Sequence, residues 1–303
     1  MTPAALQATS DFYSTNPFTR VMRTGLGALE RVWPSLTVRA AYRLFGTPLP
    51  PRWLRKQRPW PEGWRSERWA FEDASITVHS LPSAPLVPST PQGPVVLLVH
   101  GWGGHAQQML PLAQALAAQG MQPVLIDLPA HGASRGRVSN LPQFARAIEY
   151  TAARLAQQGH VLRGAAAHSL AANALAFAAS RGLRMERLVL LAPPASPYEY
   201  TRLFAHAFGL SEATRAGLQR RVESREGVLM SQFEPQCTGP NVAAPTLVVH
   251  DREDRVNHFA DGEAFAREIK GARLTATQGL GHSRMLRDEQ VTSAVAAFIA
   301  GAD

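Results

Sequence analysis

Four groups of residues in this chain can do acyl chemistry if a fold brings them together. Ser169 stands in the step His168-Ser169-Leu170, with Ala167 and Ala171 two positions to either side. A serine placed where an apolar run turns into a helical one can be lifted from the backbone on a tight elbow, its hydroxyl free to attack a carbonyl. Such a turn tolerates only small neighbours, and alanine stands here where glycine is more usual. A hydroxyl is a weak nucleophile until a base takes its proton, and neutral imidazole suits that task near neutral pH. His282 lies in Gly279-Leu-Gly-His-Ser, a glycine-bounded loop ahead of the last helical segment. An imidazole acting as base needs a carboxylate to hold its tautomer. Asp251 and Asp254 both follow an apolar run, in His250-Asp-Arg-Glu-Asp-Arg. His100-Gly101-Trp102-Gly103-Gly104 follows another, and glycine-rich backbone there can turn N–H groups toward a developing oxyanion.

The elements that must position these groups alternate from residue 71 onward. Ser75–Leu81 alternates polar and apolar side chains, which predicts a half-buried antiparallel strand, with a Pro/Ser-rich loop after it to about Gly93. Val95–His100, Pro123–Asp127, the run ending near His168, Leu188–Ala192 and Thr246–His250 are short and almost wholly apolar, as strands covered on both faces require. Helices are predicted over about 106–118 and 141–158, from Leu170, near 259–269 and over 291–299, with a weak strand at 274–276. This order predicts an α/β fold, a mostly parallel doubly wound sheet. The stretch of about 194–241 is too long for an ordinary connection and reads as a small helical cap insertion, expected over the C-terminal ends of the strands. Within it Phe204, Phe208, Met230 and Phe233 are either core residues or the lining of an acyl pocket.

Charge divides the chain unevenly. Residues 1–70 hold 11 Lys+Arg against 4 Asp+Glu, and the remainder 20 against 19, so 7 of the formal net charge of +8 belong to the N-terminal part. We therefore read residues 1–70 as a basic helical extension and 71–303 as the main domain. Phe18, Val21, Met22, Leu26, Leu29 and Trp33 share one helical face, and Leu36–Phe45 reads as a second short helix before the Pro- and Trp-rich stretch 47–64. A basic amphipathic helix with tryptophan fits an anionic membrane surface, docking on the core domain, or self-association. Nucleic acid is not expected, because no recognised binding module accompanies the charge. No run approaches the length of a membrane span, no secretory leader is read at the N-terminus, and Cys237 is the single cysteine, so a cytoplasmic location is expected. His100, His105 and His131 have no carboxylates placed to complete a metal site, and no cofactor is called for.

Serine, acid and histidine in that order, together with His100-Gly101-Trp102-Gly103, Asp127-Leu-Pro-Ala-His131-Gly132-Ala-Ser134, His250-x-x-x-Asp254 and Gly281-His282, resemble the α/β-hydrolase superfamily over about residues 75–300. The resemblance implies Ser169 as nucleophile, His282 as general base and Asp254 as orienting acid, since Asp251 falls where the family usually has glycine. It also implies the backbone N–H groups of Trp102 and Leu170 as oxyanion donors. Asp127–Ser134 corresponds to a structural loop, and His168 is expected to pack away from the nucleophile. The implied activity is hydrolysis of a small-molecule carboxylic ester through an acyl-enzyme, of the carboxylesterase class, with thioester and peptide bonds left open. Two further readings stand beside it: a hydrolase-like binding protein with a residual triad, and a membrane-surface lipid acyl hydrolase or thioesterase. Position 169 is not an aspartate, so the carboxylate-nucleophile chemistries of the same fold do not fit.

Overall fold

Runs such as Val95–Val99 carry no polar side chain to offer water, so they must be covered from both sides, and each becomes an interior strand. The computed structural model describes residues 17–48, 59–81 and 94–302. Residues 1–16, the loop expected up to Gly93 and most of the Pro- and Trp-rich stretch lie outside them. In chain order the elements are helices α1 (Pro17–Val32) and α2 (Pro34–Phe45), strands β1 (Arg65–Phe71), β2 (Ala74–Ser80) and β3 (Val95–Val99), then α3 (Leu110–Ala118), β4 (Gln122–Asp127), α4 (Leu141–Gln157), β5 (Leu162–His168), α5 (Leu170–Ser180) and β6 (Arg187–Leu191). There follow α6 (Pro197–Phe208), α7 (Glu212–Glu226), α8 (Pro235–Thr238), β7 (Thr246–Asp251), α9 (Phe259–Glu268), β8 (Arg273–Thr277), α10 (Gly281–Arg284) and α11 (Glu289–Ala300). No helix among the described residues is long and apolar enough to cross a membrane.

The chain divides into two compact units. One comprises residues 48–195 and 235–303, and the other residues 1–47 and 196–234. The larger is an eight-stranded sheet in the order β1-β2-β4-β3-β5-β6-β7-β8, parallel from β4 to β8 and antiparallel at β1 and β2. Strand order reverses at β3, whose neighbours β4 and β5 lie on opposite sides of it. Beyond the carboxyl ends of strands at such a reversal, the loops diverge and leave a crevice.

Two readings of the N-terminal half need correction. The boundary at residue 70 cuts through β1, which pairs with β2 along its whole length. Its sequence, Arg-Ser-Glu-Arg-Trp-Ala-Phe, hides the strand because only Trp69 and Phe71 are buried, as suits a charged edge. Strand β2 is buried on both faces rather than half-buried. Its polar positions Ser75, Thr77 and His79 do not face water. The Arg135 N–H donates to Ser75 Oγ at 2.7 Å, the Thr77 N–H donates to Ser134 Oγ at 2.7 Å, and His79 Nε2 donates to Asp127 Oδ2 at 3.1 Å. Alternation here sorts apolar packing from an internal polar network.

The smaller unit joins α1 and α2 to the insertion helices α6 and α7. Leu26 and Ala41 pack with Phe204, Phe208, Leu218, Val222 and Met230. Phe45 meets Phe204 edge-on at 5.3 Å. Glu30 accepts the Ser211 hydroxyl at 2.6 Å and also the Thr214 hydroxyl, and although burial opposes it, these bonds lower the Glu30 pKa. Residues 17–47 of the basic extension therefore share one compact unit with the insertion helices, while the extension's residues from 48 onward belong to the larger unit. Residues 235–241 of the expected cap belong to the larger unit. Phe204, Phe208 and Met230 pack in this unit's own core, and Phe233 is buried.

Candidate active site

Strand β5 runs through Gly164-Ala-Ala-Ala-His168, paired in parallel with β3 on one side and β6 on the other, and it stops at Ser169. Ser169 has φ 56° and ψ −132°, a backbone region that residues with a Cβ rarely occupy. The next residue opens α5, so the serine sits on a sharp strand-to-helix elbow. Its own amide donates to Leu191 O at 2.8 Å, which ties the elbow to β6. Ala167 and Ala171 are fully buried, and neither is among the described non-glycine residues with positive φ. The strain of the turn falls on Ser169 alone, so those two positions require small size and not glycine's conformational freedom. Gly101 does meet a spatial limit. A Cβ there would lie 2.9 Å from Ser169 Cβ and 3.1 Å from both His168 Nδ1 and His168 O.

His282, at the start of α10, turns its ring between the serine and an acid. Its Nε2 lies 3.0 Å from Ser169 Oγ and its Nδ1 2.7 Å from Asp254 Oδ2. A carboxylate only accepts, so Nδ1 carries the proton and Nε2 is left to accept from the serine hydroxyl. Asp254 Oδ1 accepts the amides of Val256 at 2.8 Å and Asn257 at 3.0 Å, which leaves Oδ2 aimed at the imidazole. Burial would raise the Asp254 pKa. Hydrogen bonds from His250, His282 and the Val256 amide outweigh it and hold the group well below the ordinary carboxylate range. Asp251 has other work: it accepts the Thr277 hydroxyl at 2.7 Å and the Leu280 amide at 3.0 Å, fixing the loop that delivers His282. Of the two aspartates weighed from the sequence, only Asp254 bonds the histidine.

The loop after β3 passes close to Ser169 at Gly101. His100 accepts the Leu128 amide on Nε2 at 3.1 Å, so its Nδ1 donates to Gly101 O at 2.7 Å and fixes the start of that loop. Trp102 lies edge-on to His131 at 5.1 Å and against Phe144 at 5.8 Å. Among the described residues, neither the Trp102 nor the Leu170 N–H donates to a backbone carbonyl. Two oriented N–H groups near an elbow serine can receive the negative oxygen of a tetrahedral intermediate.

Three further residues brace the site, and of these only Asn257 was not named from sequence. His168 Nε2 donates to His282 O at 2.9 Å, and its ring lies 4.6 Å from that of His282. The packing role expected of it is thus a specific one: it holds the backbone that carries the imidazole. Burial, aided by the neighbouring His282, lowers the His168 pKa to about 3, so it remains neutral. Asn257 Nδ2 donates to Ala192 O at 2.7 Å, joining the acid's loop to the end of β6. Gly101 supplies the close approach noted above. Adjacency to Ser169 was a visible sign for His168; nothing local marks Asn257.

Asp127, in the segment expected to be structural, accepts the amides of Ala106 at 2.7 Å and Ala133 at 2.8 Å as well as His79. Burial opposes ionisation, but these bonds lower its pKa to about 2. Ser66 Oγ lies 2.7 Å from His79 Nδ1, so a second Ser–His–Asp chain runs across β1, β2 and β4. Among the described residues, no group of three His, Cys, Asp or Glu could hold a metal ion.

A family model described as serine aminopeptidase, S33 matches residues 90–226. The pimeloyl-[acyl-carrier protein] methyl ester esterase of Stenotrophomonas maltophilia (strain R551-3) is 29% identical over 248 residues, covering 70% of this chain and 95% of its own. Among solved structures, Est1E from Butyrivibrio proteoclasticus superposes with a TM-score of 0.61 at 18% identity, over 78% of this chain and 98% of that one. A thioesterase domain from the curacin biosynthetic pathway gives 0.56 at 21% identity, over 78% and 99%.

Proposed function

We propose that this chain, a member of the α/β-hydrolase superfamily by its fold and its relatives, is a serine hydrolase that cleaves a carboxylic ester through an acyl-enzyme. The observation that carries this reading is the strained Ser169, with φ 56°, whose hydroxyl lies 3.0 Å from an imidazole that is itself 2.7 Å from a buried carboxylate. Ser169 Oγ attacks the acyl carbonyl as His282 Nε2 takes its proton, and the imidazolium is stabilised by Asp254. The amides of Trp102 and Leu170 receive the oxyanion, a contribution of about 3–4 kcal/mol per donor. His282 then protonates the leaving alcohol. A water, deprotonated by the same imidazole, releases the acid and restores the serine. The relative that bears an ester substrate in its name supports the choice of an ester over other acyl bonds.

Labelling with a fluorophosphonate probe, followed by turnover of a p-nitrophenyl ester series, tests the reading. The expected result is one label per chain, absent in Ser169→Ala, with ester hydrolysis lost in parallel. Labelling that persists in Ser169→Ala removes the nucleophile assignment. Labelling without turnover of any ester or thioester favours a binding protein.

A further inference from the structure

The outward face of the smaller unit combines features that its own packing does not use. Of the helical face expected from sequence, Leu26 is buried, whereas Val21 and Trp33 are 70% and 59% exposed. Val32 and Leu36 are 62% and 44% exposed, so half of the eight exposed large hydrophobics among the described residues lie between 21 and 36. Val21, Gly25, Ala28 and Val32 fall four, three and four residues apart and are all exposed, which makes one row along α1. A Cβ added at Gly25 would meet nothing within 4 Å, so the row is open. At the corner where Pro34 opens α2, residues 31–36 are all exposed. On α2, Leu36, Arg39 and Arg43 share one exposed face, and Arg20, Arg23 and Arg31 are exposed on α1. Glu30 is the only acid between residues 17 and 47, and it is bonded to Ser211 and Thr214.

An open apolar row with tryptophan at its end and arginines beside it needs a partner that is both oily and negatively charged. We propose that the α1–α2 corner is a docking surface for an anionic lipid bilayer, with Val21, Val32, Trp33 and Leu36 entering the interface and Arg20, Arg31, Arg39 and Arg43 meeting the headgroup phosphates. Long arginine stems reach headgroups while their carbons remain with the apolar side chains. A nucleic acid would meet the arginines but would have no use for the aliphatic row. The proposal stands whether or not Ser169 is the nucleophile.

Co-sedimentation of the full chain with phosphatidylcholine vesicles, with and without phosphatidylglycerol, tests the proposal. The expected result is binding to the anionic vesicles only, reversed by high salt. Arg31→Glu with Arg39→Glu should lower the partition coefficient by about thirtyfold or more, and Val32→Ser with Trp33→Ser by about tenfold. All four positions are exposed, and unchanged thermal unfolding confirms that each variant folds. Failure to bind anionic vesicles overturns the proposal, as does equal binding by parent and variants. A self-associated chain that becomes monomeric in the Trp33 variant, with no vesicle binding, assigns the face to a second copy instead.

Discussion

Two Ser–His–Asp chains in the larger unit share a connectivity and differ in almost everything around it. In one, Ser169, His282 and Asp254 are linked at 3.0 and 2.7 Å; in the other, Ser66, His79 and Asp127 are linked at 2.7 and 3.1 Å. Ser66 sits in the regular ladder of β1 directly across from His79, and it is not among the residues with positive φ. The His79 ring is 1% exposed and stacked under Trp60 at 4.1 Å, so no acyl group can reach its face. Asp127 is filled by backbone amides of two loops and works as a fastener. Ser169 instead stands on a strained elbow at the head of a helix, next to the backbone donors of the β3 loop. The hydrogen-bonded chain is common to both; the strained serine at the head of a helix belongs to one.

Variants can break that distinction. Ser169→Ala should reduce kcat by about 10⁴-fold or more, while Ser66→Ala should leave it within about twofold. Reversal of these two outcomes would place the chemistry on β1. Asp254→Asn should cost about 10³–10⁴-fold in kcat by presenting the wrong imidazole tautomer. Gly101→Ala, which pushes on Ser169 Cβ, should cost about a hundredfold in kcat with smaller change in KM. An unchanged kcat would show that the elbow can move aside.

Asp127→Asn sharpens the comparison from the side of stability. The folded Asp127 pKa is about 2 against an ordinary 3.8, so its contribution of about 2–3 kcal/mol is complete above pH 3.8 and is lost as pH falls toward 2. Chemical unfolding followed between pH 2 and 7 should show the variant less stable by that amount at neutral pH, with the gap closing in acid and kcat per folded molecule kept. His168 adds a separate slope. A folded pKa of about 3 against 6.5 makes the unfolded chain bind the extra proton, so stability falls as pH drops below 6.5. His168→Gln should remove that slope.

The sequence made the parallel sheet legible because β3 to β7 have no polar alternative to burial. It also made Ser169, Asp254 and His282 legible, since each lies just past a strand end, where short motifs are decisive. β1 was not legible, because four of its seven residues are charged or small polar and its pairing partner supplies the signal. Asn257 was hidden for a related reason: its bond to Ala192 joins residues 65 positions apart. The union of α1 with α6 also depends on distant packing among Leu26, Phe204 and Phe208 that no local pattern announces.

One set of bonds at the ends of β5, β6 and β7 has a mechanical meaning. Ser169 N–H donates to Leu191 O, Ala192 N–H to Val249 O, and Asn257 to Ala192 O, so the last residue of β6 and the one after it hold the nucleophile's elbow on one side and the acid's loop on the other. The spacing between serine and aspartate is therefore inherited from the interstrand repeat, which hardly stretches. Warming or denaturant should leave that spacing intact until the sheet itself opens, and the amides of Ser169 and Ala192 should exchange with solvent as slowly as the central strands.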